Sequence, residues 1–349
     1  MGWYEFVFRE MILILSRSRN EPTTEDVIDW LEALGAQFFR LNAEDIQYPA
    51  EFNYHLSGEV TASGFTFTDP FTAQKKTVDF QKVKSVWYRR WTLLRQYDYL
   101  HAEKFTDDQR IQQEIIRYLH REIDALGAGI FVPLGHAHWF SHPGTARPSK
   151  IRMLLLAKEA GLEIPATMIA TEKEELIAFK QRYGALITKN LGPSPLSLDL
   201  SRGDLAFYTS ELEDELLAQL PDTFFPSLVQ EHIPKAYEVR VFFLEGDFYA
   251  MAIFSQNDPQ TQMDFRRYQF EKPNRYVPYK LPKVLEGQLS ALMQALDLDT
   301  GSIDLIRASD GRFVFLEVNP VGQFGMVSVP CNYYLEKKVA ERLVKYAGS

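Results

Sequence analysis

The sequence has one cysteine, no long apolar run and no excess of basic residues, and each shortage excludes a class of protein. Cys331 alone cannot form an intramolecular disulfide, which excludes a disulfide-stabilised secreted scaffold and favours the cytoplasm. The apolar run "MILILS" at 11–16 is far too short to span a bilayer, so neither a membrane anchor nor a signal peptide is expected. The formal net charge of −9 argues against non-specific nucleic-acid binding.

A chain of 349 residues is too long for one simple core, so several lobes are expected. We expect residues 1–10 to be a poorly ordered extension and 11–140 to form an N-terminal α/β domain. The loop-like stretch "SHPGTARPS" then marks a boundary. A central subdomain is predicted at 141–210 and a C-terminal domain at 211–349.

Strand and helix patterns alternate in the first domain, which predicts an open α/β sheet. The strand "MILILS" precedes "EPTTEDVIDWLEALG", a helix that Thr23 or Thr24 is expected to cap. A long helix is predicted at roughly 107–126. The third part is rich in strands, and helices at roughly 283–296 and 333–346 are expected to cover it.

A charged hairpin is predicted in "SIDLIRASDGRFVFLEVN". Asp310-Gly311 between two apolar runs indicates a two-residue turn of type I′, which places Asp304 directly opposite Glu317. Two carboxylates that face each other among apolar neighbours repel, and a divalent cation between them would reverse the sign of the interaction. A three-residue turn would instead move Asp304 to the other face.

The oxygen ligands of this hairpin are those of Asp304, Glu317 and the side-chain carbonyl of Asn319, a set that suits Mg²⁺. The alternative is that Glu317 pairs with an arginine while Asp304 lies at a solvated edge of the sheet. The residues alone leave both interpretations open.

Charged residues that can bind phosphates lie upstream of the hairpin. Lys189 ends a buried strand in "LITKNLGPS", where its ammonium group either reaches phosphate oxygens or is simply solvated. In "VQEHIPKAYEVRVFF", Glu238 and Arg240 share one face of a strand between apolar residues. They belong either to a binding site or to an ion ladder at the rim of a sheet.

These motifs, in this order, resemble those of the ATP-grasp ligases. They are a helix-starting Lys150, the strand Lys189, "VQEHI", "YEVR", "MDFRR", "SIDLI" and "FLEVNP". More narrowly, the chain resembles the graspetide synthetases, the peptide macrocyclases of microviridin-type and grasp-with-spasm systems. That resemblance covers essentially everything after residue 10, through "MILILSRSRNEPTTEDVIDWL", "VWYRR", "SKIRMLLLAKEAGLEIP" and "MVSVPCNYYLEKKVAERL". It implies an α/β (α+β) ATP-grasp fold of three lobes, with ATP held between the central and C-terminal lobes.

The resemblance also implies roles for individual residues. Lysines would hold the phosphates of ATP, hinge backbone groups would meet the adenine, and a glutamate would hold the ribose. These nucleotide-binding residues are Lys150, Lys189, Gln230, Glu231, His232, Ile233 and Glu238. Two Mg²⁺ ions would be bound by Asp304, Glu317 and Asn319. Charge on the γ-phosphoryl group and the substrate carboxylate would be neutralised by Arg240 and Arg266, with Asn319 completing the implied catalytic set.

The implied activity is that of an ADP-forming carboxylate–amine or carboxylate–alcohol ligase that uses ATP and Mg²⁺. An Asp or Glu carboxylate of a ribosomal precursor peptide would become an acyl-phosphate, and a Ser, Thr or Lys side chain would then close an ω-ester or ω-amide ring. The partner would be a leader joined to an acidic core rich in Thr, Ser and Lys. No nucleic acid or membrane partner is expected, and a homodimer is left open.

Two other functions stay open at this point. One is an intermolecular amino-acid or glutamate-tailing ligase, and the other is a pseudoenzyme that only binds the leader peptide.

Two further motifs carry weaker signals. "GHAHWFSH" contains three histidines, a zinc-like pattern, but the segment reads as a loop without a cysteine or carboxylate. "VWYRR" can stack on bases, although core aromatics with arginines lining a cleft fit it better. An acidic peptide would give Arg89 or Arg90 a ligand.

Overall fold

The computed structural model describes residues 10–19, 21–46, 53–54, 64–68, 75–91, 104–192, 197–200, 203–206, 209–255 and 274–348. They form two compact units: unit 1 comprises Met1–Gly144 and Tyr334–Ser349, and unit 2 comprises Thr145–Tyr333. The expected extension lies, except for Glu10, outside the described residues, and the three-lobe boundaries stay a prediction. None of the described helices is both long and apolar enough to span a membrane.

The helices that the structure describes are α1 (Pro22–Ala33), α2 (Gln109–Gly129), α3 (Lys150–Glu159), α4 (Lys173–Tyr183), α5 (Asp214–Gln219), α6 (Lys283–Ala295), α7 (Gly325–Cys331) and α8 (Leu335–Ala347). The strands of unit 1 are β1 (Met11–Ser16), β2 (Phe38–Asn42), β3 (Asn53–Tyr54), β4 (Gly64–Thr68), β5 (Lys75–Asp79), β6 (Val83–Tyr88) and β7 (His138–Phe140).

Unit 1 is built on a parallel sheet with the strand order β2-β1-β6-β7, and β3, β4 and β5 form a separate antiparallel sheet. The successive apolar residues Ile12, Leu13, Ile14 and Leu15 are all buried, as expected for a strand covered on both faces. The predicted open α/β sheet is therefore confirmed.

Helix α8 covers this sheet rather than the strand-rich part of the chain. It contacts α1, β1 and β6, and its stripe of Leu335, Val339 and Leu343 is buried. The expectation that the last helix covers the third part was wrong. An apolar stripe shows that a helix buries one face, but it does not show which sheet that face meets.

The start of α1 also differs from the prediction. The helix begins at Pro22, with Glu21 at the N-cap, so Thr23 and Thr24 lie inside the first turn and are buried. Proline suits this first position because its missing N–H would have no helical partner there.

The strands of unit 2 are β8 (Thr167–Glu172), β9 (Leu186–Lys189), β10 (Ser197–Leu200), β11 (Gly203–Ala206), β12 (Ser210–Glu211), β13 (Thr223–Glu231), β14 (Lys235–Leu244), β15 (Asp247–Phe254), β16 (Arg275–Tyr279), β17 (Thr300–Ala308) and β18 (Phe313–Asn319). They form a four-stranded sheet in the order β12-β9-β13-β8, a five-stranded antiparallel sheet in the order β16-β15-β14-β17-β18, and the pair β10-β11.

One face of the five-stranded sheet packs against α3 and α6. Alternate residues of its central strands, including Val239, Val241, Ile303 and Leu305, are buried there with Leu289 of α6. Each such side chain contributes about 1.5–3 kcal/mol when fully buried. Because side chains alternate between faces, this burial directs the intervening polar residues to the opposite face.

The turn between β17 and β18 is longer than predicted. The main-chain N–H of Ala308 donates to the carbonyl of Arg312 at 2.9 Å, which closes a turn of three residues, 309–311. Gly311 adopts a φ of 92°, a left-handed conformation that glycine takes at little cost. The predicted two-residue turn was therefore wrong, because Asp310-Gly311 forms the end of a three-residue loop.

The predicted pairing of the carboxylates is nevertheless confirmed. Leu305 pairs with Phe315, but Asp304 pairs with Glu317, so Leu316 is an extra residue in β18. This β-bulge shifts the register by one residue and cancels the effect of the longer turn.

Candidate functional site

A row of charged side chains crosses the polar face of the five-stranded sheet. Arg240 on β14 pairs with Asp304 on β17, and Asp304 pairs with Glu317 on β18. Paired residues on neighbouring strands share a face, so the three side chains lie next to one another. Alternation along the strands places Glu238 beside Arg240 and Asn319 beside Glu317. The structure thus brings together five of the predicted site residues.

Asp304 is held by an arginine. Nη1 of Arg240 donates to both carboxylate oxygens of Asp304, and their side chains are only 11% and 19% exposed. Charge-assisted contacts of this kind are among the strongest hydrogen bonds in proteins. The alternative interpretation, in which an arginine pairs with Glu317, is therefore wrong, because the arginine pairs with Asp304 instead.

Glu317 lies beside a lysine from the start of α3. Nζ of Lys150 is 3.7 Å from Oε2 of Glu317 and donates to the carbonyl of Asn190 at 2.8 Å. The side-chain amide of Asn319 donates to Oε1 of Glu317 at 3.4 Å. Lys150 thereby connects β18 with the segment that directly follows Lys189 of β9.

The pKa of Glu317 is lower than its ordinary value. Burial raises the pKa, but the positive charges of Lys150, Lys189 and Arg240 and the hydrogen bond from Asn319 outweigh it. Glu317 is therefore ionised at neutral pH. Side-chain cations offset the repulsion between Asp304 and Glu317. This repulsion therefore does not by itself require a metal ion.

The position of Asn319 depends on a close turn after β18. The N–H of Gly322 donates to the carbonyl of Asn319 at 3.0 Å. A Cβ atom at Gly322 would lie 2.7 Å from both Cβ and Oγ of Ser302, a distance that side-chain carbons do not tolerate. Glycine is thus required where the chain folds back next to the site.

Glu238 is buried and has two partners, which the sequence analysis missed. It forms an ion pair with Lys235, and Oγ of Ser255 donates to Oε2 at 2.7 Å. Burial raises the pKa of Glu238, and the charge of Lys235 offsets this only in part. Lys235 lies three positions earlier and was visible in the sequence, whereas Ser255 lies beyond the end of β15.

The predicted hinge, residues 230–233, connects the four-stranded sheet of unit 2 with the five-stranded sheet. Gln230 and Glu231 end β13, and β14 begins at Lys235. The N–H groups of Glu231 and His232 donate to main-chain carbonyls of the same unit at 2.9 and 2.8 Å. Among the hydrogen bonds between described residues, none has the N–H of Ile233 as donor. Its side chain packs against Ala308 and Val314.

The predicted catalytic residue Arg266 lies outside the described residues.

The predicted metal ligands are Asp304, Glu317 and Asn319. Within the described part of the chain, no group of three or more His, Cys, Asp or Glu side chains is arranged to hold a metal ion. Two carboxylates and one amide are, however, a usual protein share for Mg²⁺, which completes its shell with water and phosphate oxygens.

The three histidines of "GHAHWFSH" have separate surroundings. Nε2 of His136 lies 3.0 Å from the carbonyl oxygen of Val83, and the ring of His138 stacks on Tyr346 at 3.7 Å. Nδ1 of His142 accepts from the N–H of Gly144. These contacts are those of structural histidines.

Comparison with known proteins identifies relatives along nearly the whole chain. Residues 11–144 match the family described as MvdD pre-ATP grasp domain. The structure is similar to that of macrocyclase MdnC from Microcystis aeruginosa MRC, bound with precursor peptide MdnA. The two are 27% identical, with a TM-score of 0.75, over 96% of this chain and 99% of that chain. No curated protein sequence matches.

Two more distant structures share the fold. One is a Chryseobacterium gregarium RiPP-associated ATP-grasp ligase in complex with ADP and a leader and core peptide, 19% identical, with a TM-score of 0.78 over 96% of each chain. The other is ATP-grasp ligase PsnB with minimal precursor, Mg and ADP, 17% identical, with a TM-score of 0.70 over 97% of each chain. The resemblance inferred from the sequence motifs is thus confirmed: the chain has the fold of the ATP-grasp ligases, is similar to the peptide macrocyclases among them, and carries an MvdD-type pre-ATP-grasp domain at residues 11–144.

Proposed function

We propose that this protein is an ATP-dependent macrocyclase of a ribosomal precursor peptide. It would activate Asp or Glu side-chain carboxylates and close ω-ester or ω-amide rings with Ser, Thr or Lys. The observation that carries the proposal is the row of Arg240, Asp304 and Glu317 with Lys150, on a fold shared with MdnC at 27% identity.

The donor set of this row fits magnesium. Asp304, Glu317 and Asn319 offer only oxygen ligands, on adjacent strands and one face. We propose that they hold two Mg²⁺ ions, which when bound would offset charge on the transferring phosphoryl group and the leaving ADP. The PsnB structure, which shares the fold, contains Mg and ADP, which supports the choice of magnesium as the ion.

The cations of the row are suited to bind phosphates. Arg240, Lys150 and Lys189 all act on the charge of Glu317, and Arg240 also binds Asp304. A guanidinium presents planar donors and an ammonium presents a compact charge, and both bind phosphate oxygens. Lys150 and Lys189 would hold the phosphates of ATP, and Arg240 would stabilise charge on the γ-phosphoryl group. Arg266 is proposed to assist Arg240 and to orient the peptide carboxylate.

The remaining nucleotide contacts are assigned to the hinge and to Glu238. The adenine would meet the main chain of residues 230–233, where Ile233 has the N–H that no described residue accepts. Glu238 would hold the ribose hydroxyls. Its contact with Ser255 shows that the carboxylate already accepts a hydroxyl hydrogen bond.

The reaction needs little side-chain chemistry beyond positioning and charge stabilisation. A carboxylate oxygen of the peptide attacks the γ-phosphorus of ATP and forms an acyl-phosphate, and ADP leaves. A hydroxyl or amine of the same peptide then attacks the acyl carbon, its proton passes to solvent, and inorganic phosphate leaves. No covalent intermediate on the protein is needed, and burial raises the pKa of the Cys331 thiol.

Mass spectrometry with an acidic precursor peptide, ATP and Mg²⁺ tests the proposal. Each ring closed removes one water, about 18 Da, together with release of one ADP. Glu317→Gln should abolish both signals. Glu286→Gln is the matched control, because Glu286 also pairs with a lysine but lies on α6, which packs on the opposite face of the sheet.

Two other outcomes would replace the proposal. A gain in peptide mass would identify an intermolecular amino-acid or glutamate-tailing ligase. Peptide binding without ADP release, unaffected by Glu317→Gln, would identify a leader-binding scaffold.

Two expectations accompany the proposed function. We propose a cytoplasmic location, with which the single, buried Cys331 agrees. A homodimer is also proposed, and sedimentation velocity would show whether the sedimenting mass is twice the 40.4 kDa of the chain.

A further inference from the structure

Unit 1 contains a second charged cluster, at the ends of two neighbouring parallel strands. Arg17 directly follows β1, and Arg89 and Arg90 directly follow β6. β6 pairs with one side of β1 while β2 pairs with the other, so the order of the strands reverses between β1 and β6. In open parallel α/β sheets, ligands bind in the crevice at the carboxyl ends of the strands at this reversal.

The three guanidinium groups converge on one carboxylate. Arg17, Arg89 and Arg90 lie 3.4, 3.5 and 3.4 Å from the carboxylate oxygens of Glu21, at the N-cap of α1. The Glu21 side chain is fully buried. Between described residues, the ion pairs of this cluster join three cations to one anion, and the start of α1 adds the positive end of a helix dipole.

This arrangement is costly for the fold of unit 1. Arg89 is 2% exposed, and burial together with Arg90 and Arg17 lowers its pKa to about 10, although Glu21 opposes this shift. Like charges repel more strongly in the protein interior than in water. Arg90 also has a φ of 57°, a left-handed conformation that is uncommon for a long side chain. Strain and repulsion of this kind concentrate at functional sites.

The cluster is accessible from solvent on one side. The side chains of Arg17 and Arg90 are 37% and 31% exposed, whereas those of Arg89 and Glu21 are buried. Arg89 and Glu21 therefore form the buried part of the cluster, and the side chains of Arg17 and Arg90 form its partly exposed part. Planar guanidinium groups bind carboxylates and phosphates through paired hydrogen bonds.

We infer that Arg17, Arg89 and Arg90 form an oxyanion-binding site that recognises side-chain carboxylates of an acidic peptide. The oxyanion site follows from unit 1 alone, whereas the choice of a peptide as its source rests on the proposed function. The ion pairs between described residues contain more cations than anions, which suits the cluster to acidic side chains of a peptide. Inorganic phosphate has the same chemistry and is the competing source.

Peptide binding in the absence of ATP tests the site. A fluorescent peptide with several Asp and Glu residues, and an analogue with Asn and Gln in their place, are titrated by anisotropy at constant ionic strength. The amide analogue should bind at least about tenfold more weakly, as should the acidic peptide to Arg17→Gln or Arg90→Gln. Arg121→Gln is the charge-matched control on the exposed side of α2, and its affinity should equal that of the unmodified protein.

Glu21→Gln provides a test in the opposite direction. It removes one negative charge from the cluster and should therefore tighten binding of the acidic peptide by several-fold. A purely structural ion cluster predicts instead a lower unfolding temperature and an unchanged affinity. If Glu21→Gln does not fold, the variants Arg17→Gln and Arg90→Gln still test the site, because the side chains of Arg17 and Arg90 are partly exposed.

The site is overturned if Arg17→Gln and Arg90→Gln bind the acidic peptide as tightly as Arg121→Gln. The peptide as ligand is overturned if inorganic phosphate displaces it at equal concentration, or if the amide analogue binds equally well. These results are independent of the proposed ligase activity. A protein that binds the peptide through these arginines but never releases ADP contradicts the proposed function and leaves this inference intact.

Discussion

The charged row of unit 2 and the arginine cluster of unit 1 balance their charges differently. In unit 2, Asp304 and Glu317 each lie next to a cation, Arg240 and Lys150 respectively. In unit 1, the ion pairs between described residues bring three guanidinium groups to the carboxylate of Glu21. Within these described contacts, the first arrangement has equal numbers of cations and anions, and the second has more cations than anions.

The difference follows from the two kinds of sheet. In the antiparallel sheet, register sets each side chain opposite one partner, so opposite charges can be interleaved. At the carboxyl edge of a parallel sheet, residues that follow separate strands converge without such pairing. A balanced row can exchange its partners for metal and phosphate, whereas a cationic cluster is suited to hold an anion.

The largest expected effect separates the two regions kinetically. Asp304→Asn should lower kcat for ADP formation by about 10²–10³-fold, because the proposed magnesium site, which would offset charge on the phosphoryl group, loses a ligand. Arg90→Gln should mainly raise the KM for the peptide, by about tenfold. Steady-state assays with varied peptide concentration measure both. A fall in kcat alone for Arg90→Gln would show that the two regions do not have separate roles.

A second prediction concerns stability. Arg240→Ala leaves Asp304 beside Glu317 without its main counter-charge and should lower the free energy of unfolding by about 3 kcal/mol. Arg90→Ala removes one of three like charges and should change the free energy of unfolding by less than about 1 kcal/mol. Urea unfolding of both variants gives the comparison.

The control for this prediction is a double-mutant cycle. Arg240→Ala combined with Asp304→Asn should recover about 1–3 kcal/mol of the loss, because no carboxylate that has lost its arginine then remains at position 304. Strict additivity of the two changes would contradict the ion pair between these residues.

A third prediction sharpens the metal assignment in unit 2. Asn319→Ala should raise the Mg²⁺ concentration for half-maximal ADP formation by about 10–100-fold, because a proposed ligand and the hydrogen bond to Glu317 are both lost. Asn319→Asp keeps a side-chain oxygen at this position and should change the Mg²⁺ concentration for half-maximal ADP formation far less. Equal magnesium dependence of both variants and the unmodified protein would contradict the assignment.

The smallest expected effect is on pH dependence. Burial raises the pKa of Glu238 in the folded state above its value of about 4.5 in the unfolded chain. The folded state then binds more protons in that interval, so this group stabilises the fold at low pH and loses that contribution as pH rises through the folded pKa. In magnesium-free protein, the stability of Glu238→Gln relative to the unmodified protein should therefore rise between pH 4 and 7. Denaturant unfolding at several pH values measures it, and an opposite slope would contradict the prediction.

The hairpin shows how far the sequence reaches and where it stops. Asp304 and Glu317 were correctly predicted to face each other, although the turn has three residues rather than two. The bulge at Leu316 compensated for that error, and no local sequence preference in "FVFLEVN" predicts such a bulge. Turn chemistry predicts that a hairpin forms, whereas packing of the apolar face selects the register.

By itself, the sequence determined the local elements and the ordered motifs of an ATP-grasp ligase, because periodicity, turn residues and motif spacing are properties of short segments. Only the tertiary structure decided that Arg240 and Lys150 neutralise the two carboxylates and that α8 covers the sheet of unit 1. It also brought Arg17 together with the pair Arg89-Arg90. These contacts join segments far apart along the chain. Local propensity carries no information about such distant partners, and only the burial of complementary faces selects them.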